Sequence, residues 1–256
     1  MMIGEIYSII LAVFAAAAAG VIGSFALMKR TVLAGDVMSH IAIPGLGLAI
    51  IWNINPLVGG GLTLLAGGLI IWHLEKKTEL STEAAIGVIF ASSVALGALL
   101  IHSTEDLIDA LFGGFGNLPL NEFIFGIAAS LFVIIAVWIL RNKLIIGLFS
   151  PELASATGIN VNRLNLWFLL LFGLTILSGL RFLGALLAGS LIIVPAAAAR
   201  QLTHTLGTFI ITSTTLSVLS VVLGFLISRA YALELGPTVV VVSAVFFALS
   251  LLKKKK

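Results

Sequence analysis

Long apolar runs separated by short polar segments make up most of the chain. A helix that crosses a bilayer needs roughly 20 mostly apolar residues, and nine runs approach or reach that length. In chain order they cover residues 6–27, 32–52, 57–74, 84–101, 123–140, 164–180, 182–199, 206–227 and 233–252. The pattern predicts an all-α integral membrane protein, a polytopic bundle of about 8–9 transmembrane helices that forms one domain over residues 1–256. Residues 107–115 are apolar but short, which predicts a re-entrant or surface helix there.

Composition supports a membrane location for these runs. Hydrophobic residues make up 60% of the 256 residues and charged residues only 10%, and the mean hydropathy is +1.22. Because soluble domains carry about 25% charged residues, a soluble enzyme, a nucleic-acid-binding protein and a disordered chain are all excluded as classes. The chain has no cysteine, which removes disulfides, thiolate chemistry and thiolate-bound metal clusters.

The basic residues predict an orientation in the membrane. If Lys29 and Arg30, which follow the first run, are cytoplasmic, the alternation of runs places twelve of the fourteen basic residues inside. Only Arg181 and Arg229 then fall outside. Since cytoplasmic loops are enriched in Lys and Arg, we expect the N-terminus outside and the C-terminus in the cytoplasm.

The acidic residues and the C-terminal tail fit the same orientation. Six of the eleven acidic residues, Glu122 among them, fall on the outer side, and the longest outer loop is acidic. The tail of four lysines, residues 253–256, falls on the inner side. We expect this tail to meet anionic lipid, to which each lysine adds about 1 kcal/mol near the surface, rather than nucleic acid.

Asp36 and His40 are ionisable residues inside an apolar run. They are four residues apart, so they project from one face of a helix, and a carboxylate with an imidazole suits a divalent transition metal such as manganese, zinc or iron. The alternative is that Asp36 caps the start of a helix and His40 is a polar core residue. Pro44, four residues further on, predicts a kink or break just beyond the pair.

Glu83 has two readings at the start of the fourth run. Ser81 can cap that helix while Glu83 occupies its first turn, where the helix dipole favours an acid. Alternatively, Glu83 lies at the inner mouth of a pathway. Sequence alone does not separate the two.

A short helix is predicted within the inner connection, residues 141–163. Ser150 fits an N-cap, Pro151 the first helical position, Glu152 the first turn and Gly158 the position after the last turn. This helix, near residues 150–158, is either a simple interfacial helix or a docking element for a cytoplasmic protein. No Walker A, HExxH or GxSxG pattern occurs in the chain, so we expect no ATP site and no hydrolase centre of its own.

Together these segments resemble the permease subunits of zinc-, manganese- and iron-type ABC importers. The resemblance covers about residues 20–200 and rests on a combination of short motifs in the family's order. They are Gly-Asp-Val-Met-Ser-His at 35–40, Glu-Ala-Ala-Ile-Gly-Val-Ile-Phe at 83–90, Leu-Phe-Gly at 111–113, the 151–158 segment, Gly-Ala-Leu-Leu at 184–187, and Ile-Val-Pro-Ala-Ala-Ala-Ala at 193–199.

The resemblance implies a transport subunit, not an enzyme, in a prokaryotic plasma membrane. It implies a homodimer, two cytoplasmic ATP-binding subunits that use the ATP, and an extracytoplasmic protein that delivers the metal. No permanently bound cofactor is implied, because the metal ion is cargo. The site residues that the resemblance implies fall into three groups. They are Asp36 and His40 as transient metal ligands; Glu83, Pro44 and Pro195 along the pathway or its gate; and Pro151, Glu152, Ala154 and Gly158 for coupling to the ATPase.

Other functions remain compatible with the residues. A gradient-driven secondary cation transporter needs no ATPase, and an ABC permease for a metal chelate or a vitamin does not need Asp36 and His40. A membrane-embedded enzyme is a third class, although Ser39 and His40 diverge around the helix axis and form no dyad by themselves.

Overall fold

Helices account for the regular structure throughout the described part of the chain. The structure is a computed structural model that describes residues 2–29, 31, 33–78, 81–101 and 118–252. At some helical positions it describes the backbone but not the side chain. These positions are 2, 3, 5, 33–36, 82, 83, 181, 182 and 186. Within those residues the helices are α1 (Met2–Met28), α2 (Leu33–Ile41), α3 (Ile43–Ile51), α4 (Pro56–Lys77), α5 (Thr82–Leu100), α6 (Leu120–Phe149), α7 (Pro151–Ala156), α8 (Val161–Leu202), α9 (Leu206–Tyr231) and α10 (Leu235–Leu251).

The helices confirm the predicted polytopic membrane fold. Six helical segments are long and apolar enough to cross a bilayer: Ile6–Met28, Pro56–Lys77, Leu120–Phe149, Val161–Leu180, Leu183–Leu202 and Leu206–Tyr231. Three shorter apolar segments are Val37–Ile51, Ala84–Leu100 and Leu235–Leu251. Each of the nine coincides with one predicted apolar run. The predicted short helix at 107–115 and the lysine tail lie outside the described residues.

The second apolar run is not one continuous helix. It divides into α2 and α3 at Ala42, and Pro44 occupies the first turn of α3. Proline has no amide hydrogen to donate to the carbonyl of His40, and its ring crowds that carbonyl. The break therefore falls within two residues of the predicted kink.

The inner connection is shorter than predicted, because α6 continues to Phe149. The segment 144–149 is apolar apart from Gly147, and Leu144 is buried, so nothing stops the helix at Arg141. The expectation of a long loop from residue 141 to 163 was therefore wrong. Residues 150–160 make the whole connection, and α7 occupies more than half of it.

Helix α8 folds back on itself near Gly184. The Nζ atom of Lys29, at the end of α1, contacts Asn165, and Gly23, six residues earlier, lies against Ile192. Positions 165 and 192 would be about 40 Å apart on a straight helix, whereas positions 23 and 29 are about 9 Å apart on α1. The chain must therefore reverse between them. Gly184 has φ 67° and ψ 176° inside the helix, so the reversal between the predicted runs 164–180 and 182–199 falls three residues after Arg181.

Helices α1 and α8 form the centre of the bundle. Helix α1 packs against α6, α8 and α9, and α8 also contacts α2, α4 and α10. A Cβ on Gly20 would lie 2.8 Å from the amide nitrogen of Thr214, and the hydroxyl of Ser213 donates to the carbonyl of Gly20 at 2.8 Å. Small residues allow this close approach, which drives helix association inside lipid.

Candidate translocation pathway

His40 lies at the carboxyl end of α2, two residues before the break at Ala42 that leads into α3. Its ring is partly buried and meets the ring of Phe90 on α5 edge-on, with 5.2 Å between centroids and 81° between planes. The residues before it, Met38 and Ser39, are buried. The Met38 methyl group lies close to Gly68 of α4 and Gly173 of α8. One side of α2 is therefore fixed against α4 and α8, and His40 faces α5.

Asp36 occupies α2 four residues before His40, as the helical spacing requires. Its side chain lies outside the described residues, so its role as a metal ligand stays a prediction. Among the side chains that the structure describes, no cluster of three or more His, Asp or Glu forms.

Glycine contacts hold α3 beside its neighbours. Gly45 of α3 faces Gly59 of α4 so closely that a Cβ on either residue would collide with the backbone of the other. On the other side, a Cβ on Gly47 would lie 2.9 Å from the Cβ of Leu100 at the end of α5. Pro44, the residue before Gly45, is buried. The sequence produces a broken helix here and then fixes the second half in place, although the gating role of Pro44 stays a prediction.

Helix α5 begins at a cap and presents small residues outward. The Ser81 hydroxyl accepts a hydrogen bond from the Ala84 amide at 3.2 Å, which confirms the predicted cap. The Glu83 side chain lies outside the described residues, so its place in a pathway stays a prediction. Further along, small exposed residues recur at spacings of three and four. They are Ala84, Gly87, Ala91, Ala95 and Ala98.

Sequence reasoning missed a buried acid at the start of α6. Glu122, in the first turn of α6, is only 7% exposed, a burial that its place among the outer acidic residues of the sequence does not indicate. The Asn55 amide donates to its Oε1 atom at 2.7 Å, while the Asn55 Oδ1 atom accepts from the Leu57 amide at 2.8 Å and caps α4. Below the pair, an apolar cavity of about 310 Å³ lies among α4, α6 and α8. The sequence signal was Asn55-Pro56, a helix-start pattern.

A lysine joins two helices at the end of the bundle opposite Glu122. Lys29 donates to Asn165 Oδ1 at 2.9 Å and lies 4.8 Å from the ring centroid of Phe168. Burial lowers the pKa of Lys29 from its ordinary value of 10.5, and the nearby Glu75 carboxylate partly opposes that shift. Asn165 and Phe168 both belong to α8, so Lys29 ties the end of α1 to the first turns of α8.

Helix α7 matches its prediction closely. Ser150 Oγ accepts from the Leu153 amide at 3.3 Å, and Pro151 begins the helix. At the other end Gly158 has φ 78°. Its amide donates to Ser155 and the Ile159 amide donates to Ala154, which is the Schellman pattern that favours glycine. Ala154 is fully buried, whereas Pro151, Glu152 and Gly158 are exposed.

Comparison with known proteins decides the family. A model of the ABC 3 transport family matches residues 6–254. The chain belongs to the ABC 3 transport family. The high-affinity zinc uptake system membrane protein ZnuB of Haemophilus influenzae is 33% identical over 243 residues, covering 92% of both chains. The manganese transport system membrane protein MntC of Listeria monocytogenes is 30% identical over 236 residues, covering 91% of this chain and 84% of the relative.

Solved structures of ABC transporters share the fold. PsaBC from Streptococcus pneumoniae, solved in complex with Fab, matches with a TM-score of 0.83 and 28% identity, covering 94% of this chain and 88% of that one. A putative metal-chelate type ABC transporter in an inward-facing conformation matches with a TM-score of 0.74. At 18% identity, that second likeness shows the fold alone. The family and these neighbours confirm the resemblance, and with the apolar helices they make the chain a multi-pass membrane protein.

The predicted site residues of this ABC 3 chain fall into separate regions. His40 and Pro44 lie at the α2–α3 break. Helix α7 carries three of the four predicted coupling positions, and the fourth, Gly158, lies two residues after its end. Pro195 is buried in the second half of α8, three residues after the contact between Ile192 and Gly23. Its gating role stays a prediction. Asn55, Glu122 and Lys29 are polar residues of the bundle that the motif comparison did not include.

Proposed function

We propose that this chain is the membrane permease of an ATP-driven importer that moves a divalent transition metal, zinc or manganese, into the cytoplasm. The observation that carries the proposal is the match along more than nine-tenths of the chain to membrane proteins named for zinc uptake and manganese transport. Iron is a third candidate from the ligand chemistry. The gradient-driven transporter and the chelate or vitamin permease are not favoured, because the named zinc and manganese relatives match nearly the whole chain.

Asp36 and His40 are the proposed transient ligands. The support is their placement one turn apart on α2, where His40 is next to the helix break and faces α5. A carboxylate and an imidazole bind zinc and manganese, and two ligands from one chain hold a cation weakly enough for release, as conduction requires. Glu83, on the first turn of α5, belongs to the same proposed pathway.

The proposed assembly is a homodimer with its pathway near α2 and α5. The support is the outward face of α5, where Gly87, Ala91 and Ala95 are exposed at four-residue spacing. Such a stripe allows two membrane helices to pack closely. Because the chain has no cysteine, Ala91→Cys gives an unambiguous test. We expect an oxidant to crosslink two copies of the Ala91→Cys variant in membranes. The Ile139→Cys variant, whose cysteine replaces an exposed residue of α6, should remain monomeric. The reverse pattern would refute the α5 contact.

ATP-binding subunits are proposed to dock on α7, and an extracytoplasmic metal-binding protein on the opposite side. The support is that α7 presents Pro151, Glu152 and Leu153 outward while buried Ala154 anchors it. The same end of the bundle carries Lys29, Lys76 and Lys77, so the positive-inside rule makes it cytoplasmic. The N-terminus is then outside.

Transport in vesicles tests the proposal. The permease is reconstituted with its ATP-binding subunits, and uptake of radioactive zinc or manganese is measured with and without ATP. We expect ATP-dependent uptake that His40→Ala and Asp36→Ala abolish, while the matched control His204→Ala, in an exposed turn between α8 and α9, transports normally. Uptake that follows a proton gradient and ignores ATP would refute the importer. Normal uptake by both pathway variants would refute the ligand assignment.

A further inference from the structure

A groove opens between α6 and α9, with α1 as its floor. Its volume is about 530 Å³ and its walls are almost entirely apolar. Val21 and Phe25 form the floor. At one end the groove reaches Gly207, where an added Cβ would meet no atom within 4 Å. Within the described residues the groove is therefore an open cleft on the outside of the bundle.

The length of the groove matches one leaflet of a bilayer. Its lining extends from Ile134 to Ile145 on α6 and from Leu206 to Thr215 on α9. At 1.5 Å per residue these stretches measure about 16 Å and about 14 Å. Half of a hydrocarbon core about 30 Å thick is about 15 Å. In the orientation proposed above, on which this inference rests, the groove lies in the cytoplasmic leaflet, with its Ile134 end toward the bilayer centre and Arg141 at the level of the headgroups.

The groove carries a single charge, and that charge is positive. Of the lining residues only Arg141 is ionisable, and its guanidinium lies 4.1 Å from the ring centroid of Trp138. Trp138 is 64% exposed, as is usual for tryptophans at the edge of a membrane. The neighbouring Asn142 is exposed and adds an amide donor. Arginine is the side chain best suited to phosphate oxygens.

We propose that this groove binds one anionic phospholipid of the cytoplasmic leaflet. Its phosphate contacts Arg141, and an acyl chain lies along the apolar cleft between α6 and α9. The groove is separate from the proposed dimer face, because α5 packs mainly against α2, α3 and α4 while α6 and α9 pack against α1 and α8. The single positive charge, the length and the apolar lining together favour a lipid as the occupant of the groove. An apolar membrane helix in the same place would put an apolar side chain opposite Arg141.

Native mass spectrometry of the full-length permease tests the proposal. The detergent-purified chain is mixed with equal amounts of phosphatidylglycerol and phosphatidylcholine that have the same acyl chains. We expect the wild type to retain one phosphatidylglycerol in preference. Arg141→Gln should weaken that retention about fivefold, as expected for one basic residue near the surface. Arg163→Gln, which removes an exposed charge at the same membrane face outside the groove, should leave retention unchanged.

A second variant tests the cleft itself. The Cβ of Gly207→Leu meets no atom within 4 Å, and the leucine side chain occupies part of the cleft, so we expect this variant to lower retention of both lipids while Arg141 is intact. Equal retention by Arg141→Gln and Arg163→Gln, or full retention by Gly207→Leu, would overturn the proposal. A change in the number of permease copies per complex in Arg141→Gln or Gly207→Leu would overturn the lipid proposal and indicate that the groove is a protein interface. Failure of metal uptake in the wild type, with this lipid pattern intact, would refute the importer function and leave the lipid site standing.

Discussion

One added methyl group between α3 and α4 should measurably destabilise the permease. Gly45 and Gly59 bring the two backbones into direct contact beside the α2–α3 break. A Cβ at position 45 would lie 2.5 Å from the carbonyl carbon of Gly59, whereas Cβ contacts in proteins are essentially never closer than 3.0 Å and mostly beyond 3.4 Å. Gly45→Ala therefore requires α3 to move away by about 1 Å. Because the obstacle is backbone, no side-chain rotation can absorb the change.

The magnitude follows from two opposing terms. Overpacking of a close-packed interior costs about 1–3 kcal/mol, and a collision with backbone belongs at the upper end of that range. Alanine is more favourable than glycine in a helix by about 1 kcal/mol, which leaves a net loss of about 2 kcal/mol. At about 2–4 °C per kcal/mol for a chain of this size, we expect Tm to fall by roughly 4–8 °C.

Thermal unfolding of the detergent-purified chain, followed by size-exclusion chromatography after heating, measures this shift. Gly207→Ala is the matched control, because its Cβ meets no atom within 4 Å, and its Tm should stay at the wild-type value or rise. Uptake should also fall in Gly45→Ala, since α3 begins at Ile43, three residues after His40. A Gly45→Ala variant as stable as the wild type and the Gly207→Ala control would refute the backbone contact.

Two polar contacts and one strained backbone position give three further predictions. Asn55→Ala removes both the α4 cap and the amide donor to Glu122, so we expect the free energy of unfolding to fall by about 2–4 kcal/mol in thermal unfolding. Glu122→Gln should lower it by less, and equal losses in the two variants would contradict this. Burial lowers the pKa of Lys29, so between that lowered pKa and 10.5 the unfolded chain binds the extra proton and wild-type stability rises with pH. Unfolding of Lys29→Met across that window should lack this rise, and an identical rise would contradict the buried charge. Gly158→Val strains a φ of 78°, so metal-stimulated ATPase activity of the reconstituted complex should drop while basal activity persists; unchanged stimulation would contradict a coupling role.

The sequence predicts the helices well because their signals are local. Nine apolar runs became nine apolar helical segments, and the cap residues Ser81 and Ser150 bind the amides that their positions require. Pro44 predicted the helix break for a covalent reason, the missing amide hydrogen. Gly158 predicted the end of α7 because its conformation is one that residues with a Cβ adopt reluctantly.

The polar contacts between distant segments were not predictable in the same way. Asn55 and Glu122 are 67 residues apart, and Lys29 and Asn165 are 136 apart. Each residue alone looks like a solvated group at a helix end, and only the packing of the bundle buries it. The length of α6 was missed for a related reason, since Arg141 and Lys143 suggested an end to the span although a helix can extend beyond the membrane with exposed charges.

Helix α8 gives a physical connection between the two ends of the proposed pathway. Its first residue follows α7 after a short turn in which the Ile159 amide is bonded to Ala154. Gly173, twelve residues later and about 18 Å along the axis, lies beside the Met38 methyl group, two residues before His40. A displacement of α7 by a docked subunit must therefore move α8 as a rod or break these bonds. Because α8 packs against both α2 and α4, the rod reaches the helix that carries His40 and the helix against which α3 is held.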